Sequence, residues 1–316
     1  MTLLASHAPI AAQADFVPLF NEVDLSGWHV AGGDATFEVA NGEIVGRSMP
    51  GTPNTFLVTN QAYSDFDLEL EFTISDPAFN SGVQLRSSSL PEHNGGRLFG
   101  YQVEIDPSSR SWTGGLYFEG GTPDRSAGWL DDLDDDPTAQ QAFDLAEWNH
   151  FRILARGRRI RTWINGVPAS DYLDYDPDAF LSTGVIGLQV HSNPSTTPLE
   201  VRWRNILIDE LETGPNLTLG DLNGDGTVDF DDYQMVVSNL HRDVSDLSSA
   251  EAYLLGDLTG DRLIDYADFL AVRSWYQASL AEGAPVPVPE PASALLVLAS
   301  VLGAASFRRC VLSRQL

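Results

Sequence analysis

Period-two alternation of apolar and polar residues dominates the first two thirds of the chain. In the segment FDLELEFTIS, Phe66, Leu68, Leu70, Phe72 and Ile74 alternate with Asp67, Glu69, Glu71 and Thr73, the pattern of a strand with one buried face. Similar alternation runs through HFRILAR and IRTWING, with Gly157 at a tight hairpin between them, and through LEVRWRNILI. Turn signals at Asn41-Gly42 and Asn165-Gly166 separate strands. Many short strands with polar turns and almost no helical period predict a mainly β domain, a β-sandwich, over residues 15–212. Most aromatics there, including Trp28, Trp148, Trp163 and Trp203, read as core packing or sheet-face cover.

The pattern changes beyond residue 219. The segment DLNGDGTVDFDD, Asp221 to Asp232, recurs 36 residues later as DLTGDRLIDYAD, Asp257 to Asp268. In the first copy Asp221, Asn223 and Asp225 supply side-chain oxygens at positions 1, 3 and 5 of a 12-residue loop. Thr227 offers its carbonyl at 7, Asp229 sits at 9 and Asp232 closes the loop at 12. The second copy places Asp257, Thr259, Asp261, Leu263 (carbonyl), Asp265 and Asp268 in the same register. A hard cation takes about six or seven oxygens from such a loop, so two calcium sites are expected. Gly226 fills the sharp-turn position of the first loop; Arg262 fills it in the second, where strain is expected. Each loop leads into a helical period, through Tyr233, Val236, Val237 and Leu240, then Phe269, Leu270 and Val272. The span 219–281 resembles a type I dockerin, which implies a cohesin-like protein partner. Positions 10 and 11, often Ser-Thr in cellulosomal dockerins, are Phe230-Asp231 and Tyr266-Ala267, so a cellulosome is not the expected setting and a purely structural calcium module stays open.

Length, charge and the chain ends narrow the setting. The 316 residues exceed one average domain, and the formal charge of -27, from 45 acidic against 18 basic residues, excludes the basic face that nucleic-acid binding needs. The single cysteine, Cys310, excludes an internal disulfide framework. Residues 1–14 end in an Ala-Gln-Ala pattern suited to signal-peptidase cleavage and read as the end of a signal peptide. Over residues 288–312, Val288-Pro289-Glu290-Pro291 precedes an apolar run from Ala292 to Phe307 and the pair Arg308-Arg309. That order resembles the PEP-CTERM sorting tail of Gram-negative bacteria, which implies processing by an exosortase; an ordinary C-terminal membrane anchor is the alternative. Either places the body of the protein outside the cytoplasm, secreted or at the cell surface or outer membrane.

The strand GYQVEID carries the candidate chemistry. Tyr101, Val103 and Ile105 point one way, into the core, while Gln102, Glu104 and Asp106 point the other, onto an exposed face. Residues two apart on a strand stand about 6.6 Å apart, close enough for like charges to split their pKa values. The laminarinase type of jelly roll has Glu-x-Asp-x-Glu here, but this chain reads Glu104, Asp106, Ser108, and Pro107 ends the strand.

Seven segments in order resemble the 3-keto-disaccharide hydrolase family over residues 16–211: LFNEVDLSGWHV, NSGVQLRS, GYQVEID, TGGLYFEG, WNHFRILARGRRIRTWING, GVIGLQVHS and VRWRNILIDEL. The resemblance implies a concanavalin-like jelly-roll sandwich that hydrolyses glycosides oxidised at C3, with a carbohydrate substrate and no organic cofactor. A ketone at C3 acidifies the proton on C2, so such a site needs a general base and a donor to the enolate oxygen. The candidates are Glu104 or Asp106 as base, and Arg86 and His191 as groups polarising the ketone or protonating the leaving group. Gln102, Gln189, Asn80 and Glu119 fill out the polar face. His191 also reads as a structural histidine, Arg86 as a salt-bridge partner, and Asp131 to Asp136 as a solvated loop or an adventitious calcium site. A lectin-like binding module, a retaining glucanase and a matrix protein remain alternatives for the whole chain.

Overall fold

The computed structural model describes residues 15–90, 96–176, 178–194, 197–212, 219–223 and 227–281. The expected leader (1–14), the sorting tail (288–312) and the loop residues Asp225 and Gly226 lie outside the described residues. In chain order the first strands are β1 (Val17–Pro18), β2 (Trp28–Gly32), β3 (Thr36–Ala40), β4 (Glu43–Arg47), β5 (Thr55–Tyr63) and β6 (Phe66–Ile74). Then come β7 (Ser81–Ser89), β8 (Leu98–Ile105), β9 (Leu116–Glu119), β10 (Gly128–Asp131) and the short helix α1 (Pro137–Gln140). The sandwich ends with β11 (Asn149–Arg156), β12 (Arg159–Ile164), β13 (Val167–Leu173), β14 (Gly184–Val190) and β15 (Glu200–Glu210).

These strands form two antiparallel sheets. One has the order β13-β12-β11-β6-β15-β4-β3, with β1 also on β15; the other runs β10-β9-β8-β7-β14-β5-β2. The alternation read from the sequence decides which side chains lie between them. Phe66, Leu68, Leu70, Phe72 and Ile74 of β6 and Tyr101, Val103 and Ile105 of β8 belong to one core cluster, joined by Trp28 and Trp203. Trp148 and Trp163 instead cover a sheet face under Arg204 and Arg152. Asn41 and Gly42 (φ 57° and 79°) and Asn165 and Gly166 (φ 49° and 80°) supply the left-handed pairs that tight hairpins between β3 and β4 and between β12 and β13 require.

The acidic stretch at Asp131 to Asp136 is more ordered than a solvated loop. Asp131 closes β10 and accepts from the Asp171 amide at 3.1 Å, while Asp136 caps α1 through the amides of Thr138 and Ala139.

Residues 219–281 build a separate small core from α2 (Phe230–Asn239), β16 (Arg242–Asp243), α3 (Ser249–Leu255), β17 (Leu263–Ile264) and α4 (Tyr266–Ala281). The helical periods account for α2 and α4. Helix α3 was not anticipated, although Ser248 and Glu251 close a capping box at its start. The unit packs on β13, the edge strand of the larger sheet, and so covers backbone that would otherwise invite pairing. Leu173 of β13 lies within its core, and Tyr175 stacks on Tyr253 with ring centroids 6.1 Å apart.

Candidate functional site

Strand β8 is central in its sheet, between β7 and β9, and the register sets Gln84 beside Gln102 beside Tyr117 on the face away from the core. Gly82 lies opposite Glu104 in the same ladder. A Cβ at Gly82 would stand 2.5 Å from Cδ of Gln102, so glycine leaves the room in which the Gln102 side chain turns along its own strand. The result is a directed chain of hydrogen bonds. Ser87 Oγ donates to Gln84 at 2.5 Å, Gln84 Nε2 to Gln102 at 2.7 Å, and Gln102 Nε2 to Glu104 Oε2 at 2.7 Å. From the other side Asn80 Nδ2 donates to Glu104 Oε1 at 2.8 Å.

The expectation of an exposed face is overturned. Gln102 and Glu104 do share one face, but they are only 2% and 4% exposed, and Asp106 is also buried. The neighbouring strand β7 is irregular. Arg86 takes a left-handed conformation (φ 45°), the pairing with β8 slips between Leu85 and Ser88, and Gly100 (φ 147°) lies against Ser87. Leu98 packs with Phe56 and Val58, which belong to a strand two places further along the sheet from β7. Glu119 accepts from Asn54 at 3.2 Å and from Arg97 Nε at 2.9 Å.

Burial separates the two acids. It pushes the Glu104 carboxyl up to about 8; the hydrogen bond from Gln102 opposes this, and the charges of Glu119 and Asp106 add to it. Asp106 moves the other way. Burial raises it, but bonds from Ser108 and Arg110 outweigh burial and hold it below the ordinary carboxylate range. Arg110 Nε donates to Asp106 at 2.7 Å, and the guanidinium lies over Trp112 and Trp129 at 4.6 and 5.0 Å.

Tyr117 packs edge-on against Trp129 at 5.2 Å, and its phenol is raised by burial and then by the charges of Glu119 and Glu104. Arg110, Trp112, Tyr117 and Trp129 were missed in the sequence. Only Tyr117 carried a usable signal, since it is two residues before Glu119 and so shares its face. Polar capacity is left over around the site. Both amide atoms of fully buried Gln189, Oδ1 of Asn80 and Nε1 of Trp112 have no hydrogen-bond partner among the described residues.

One expected site residue, Arg86, lies elsewhere. Arg86 is fully buried away from the Glu104 group and donates to the carbonyls of Ser64 and Gly157 at 2.5 and 2.6 Å and to Asp65 at 2.9 Å. Its partners sit in the β5–β6 and β11–β12 turns, so it ties the two sheets together and is not placed to polarise a ketone beside Glu104. His191 directly follows β14, whose Gln189 carbonyl accepts from Ser81 at the start of β7; its Nδ1 is 2.9 Å from the Ser192 carbonyl, and the Ser192 amide donates to Asn54.

The two acidic loops share one internal design. Asp232 accepts from the amides of Leu222, Asn223 and Asp229, and Asp268 from those of Leu258, Thr259 and Asp265. Asp221 and Asp257 are buried beside these closing acids, Asp229 caps α2, and Asp265 accepts from Ala267 in the first turn of α4. In the second loop, carboxylate oxygens of Asp257, Asp261 and Asp268 lie within 4.8 Å of one another. An all-oxygen set of that size suits a calcium-like ion. Arg262 does adopt the left-handed backbone of the glycine position (φ 70°).

Comparison with known proteins places this geometry in a family. Residues 15–209 match the 3-keto-alpha-glucoside-1,2-lyase-like domain. Among solved structures, a protein from Parabacteroides distasonis proposed to be a glycosyl hydrolase is 19% identical, with 62% of this chain and 94% of that chain covered and a TM-score of 0.45. The carbohydrate binding module CBM66 from Bacillus subtilis is 18% identical, with 58% and 95% covered and a TM-score of 0.41. A Bacillus subtilis protein of unknown function with a galectin-like fold is 11% identical, with 62% and 94% covered and a TM-score of 0.45. No curated protein matches the sequence. The chain therefore belongs, through its β-sandwich, to the 3-keto-alpha-glucoside-1,2-lyase-like domain family.

Proposed function

We propose that the sandwich cleaves glycosides already oxidised to a ketone at C3, by elimination across C1 and C2 with Glu104 as the base. The observation that carries this is the Glu104 carboxyl: buried, hydrogen-bonded at both oxygens and pushed up to about 8, it is a base of nearly neutral strength. Its acidic neighbours Asp106 and Glu119 are paired with Arg110 and Arg97.

The C3 carbonyl acidifies C2–H. Glu104 takes that proton, and the electron pair forms the C2=C3 bond of an enolate. Arg110 and the protonated Tyr117 phenol supply positive charge and a donor beside it. The enolate re-forms the ketone as the C1=C2 bond forms and the C1–O bond breaks. The departing oxygen takes a proton from protonated Glu104, and water then adds at C1. Glu104 is taken as that donor because it already holds the proton removed from C2. Gln189 and Asn80 hold the uncommitted polar atoms that sugar hydroxyls would take. A retaining glucanase is disfavoured, because the Asp106 oxygens are engaged by Ser108 and Arg110.

Incubating the full chain with 3-keto disaccharides, unoxidised disaccharides and laminarin tests the assignment. Sugar release from the keto substrate alone is expected. Release from laminarin would make the protein a glucanase, and binding without release would make it a lectin.

The remaining modules complete the proposal. The repeat of residues 219–281 is a dockerin-like unit that binds two calcium ions, and a cohesin-like partner would meet the face where Phe230 and Tyr266 are exposed. The protein is exported, and an exosortase processes its tail. Calcium would be held by the loop acids described above, where it would fix the loop backbone.

A further inference from the structure

The second acidic loop does not stand free of the sandwich. Tyr175, just after β13, puts its hydroxyl over the loop's turn at Gly260 (φ 75°); a Cβ there would come 1.7 Å from that oxygen. The same turn is tied to the ligand set, since Asp257 accepts from the Gly260 and Arg262 amides at 2.8 and 3.1 Å. Arg262, strained in its left-handed backbone, donates to the Leu247 carbonyl at 2.7 Å, and its charge acts on Asp131 of β10.

On the sandwich side, Tyr175 adjoins a rigid anchor. Asp174 is fully buried, takes both Arg125 nitrogens at 2.8 and 2.7 Å, and accepts from the Tyr101 hydroxyl. Tyr101 lies on β8, the strand that carries Glu104 on its opposite face.

We propose that the sandwich is the standing partner of the second loop: Tyr175 clamps the Gly260 turn, so that cation binding there and sandwich stability are linked. This rests on the calcium assignment of the loops. A loop whose turn is shaped by Tyr175 gains affinity from docking, and by reciprocity the bound ion strengthens the docked state. The isolated repeat would then be an incomplete binding unit, and the interface with β13 is part of its metal chemistry.

The test uses the full chain, stripped with EDTA and titrated with calcium chloride in a calorimeter, beside thermal unfolding followed by near-ultraviolet circular dichroism. Two binding events are expected for the wild type. Tyr175→Ala should weaken one of them about tenfold or more and leave the other unchanged, whereas Tyr175→Phe, which keeps the ring stack on Tyr253, should lose much less. Because Tyr175→Ala removes packing, the wild type alone gives a second readout: calcium should raise the sandwich transition by several degrees. Calcium that binds without moving that transition, or a Tyr175→Ala chain that binds both ions with wild-type affinity, overturns the linkage alone. The absence of any calcium binding overturns the calcium assignment and the linkage with it.

Discussion

Gln102 and Glu104, two residues apart on β8, are joined side chain to side chain by a 2.7 Å hydrogen bond, with the Gln102 amide donating along the strand. Neighbours on one strand face more often look outward to solvent. Here both side chains are buried, and Gly82 frees the space for Gln102 to turn. The bond therefore forms where it counts most, on a carboxyl whose charge is poorly solvated.

The pH dependence follows from that burial. If Glu104 must be ionised to take the C2 proton, kcat/KM for a 3-keto glycoside should rise with pH through a midpoint near about 8, with about one tenth of the sites active at one unit below it. A profile that falls across that range would assign Glu104 as an acid instead.

Replacing Glu104 separates activity from stability. Glu104→Gln should lower kcat by about 10²-fold or more. Stability moves by linkage: the folded pKa of about 8 lies above the ordinary 4.5, so the folded protein holds a proton that the unfolded chain releases, and stability declines as pH rises from 4.5 to 8. The variant should lose that decline, because glutamine has no proton to release, and Asn80 can turn its unpartnered Oδ1 toward the new amide to keep the site hydrogen-bonded. Melting temperatures measured between pH 5 and 9 check this.

The two arginines should behave oppositely. Arg86→Met leaves Asp65 buried without its cation and should cost about 3–5 kcal/mol in denaturant unfolding, with little effect on the kcat/KM of the folded fraction. Arg110, with its side chain 43% exposed, should cost less than Arg86→Met when replaced as Arg110→Met, because Asp106 keeps its Ser108 bond, but should lower kcat/KM about 10²-fold.

Gly82→Ala probes the hydrogen-bonded chain without touching a polar group. Its Cβ would displace Gln102, and Glu104 would lose the bond that opposes its raised pKa. The rising limb of the rate profile should move to higher pH. An unmoved limb with normal folding would mean that Gln102 does not tune Glu104.

Much of this architecture was legible in the chain. Alternation in FDLELEFTIS placed the β6 core residues, Asn-Gly pairs marked two hairpins, and the side-chain period of GYQVEID put Gln102 and Glu104 together. What alternation does not carry is the path of a strand through space. The left-handed residue at Arg86 gives no hydrophobic signal, yet it lies where the pairing of β7 with β8 slips and sends its guanidinium to the β5–β6 and β11–β12 turns. Arg110 and Trp129 are 19 residues apart in sequence and meet only because β9 and β10 return beside β8. The contact of Tyr175 with Gly260 joins a sandwich residue to the repeat, and nothing local to either segment announces it.

Proton abstraction at C2 is the step on which the account depends, and deuterium uptake reports it directly. A 3-keto disaccharide turned over in D2O should yield a 3-keto monosaccharide with deuterium at C2 by mass spectrometry and NMR, above the enzyme-free exchange, as water adds across the C1=C2 bond. Product released with its C2 hydrogen intact would contradict elimination and remove Glu104 from the role of base.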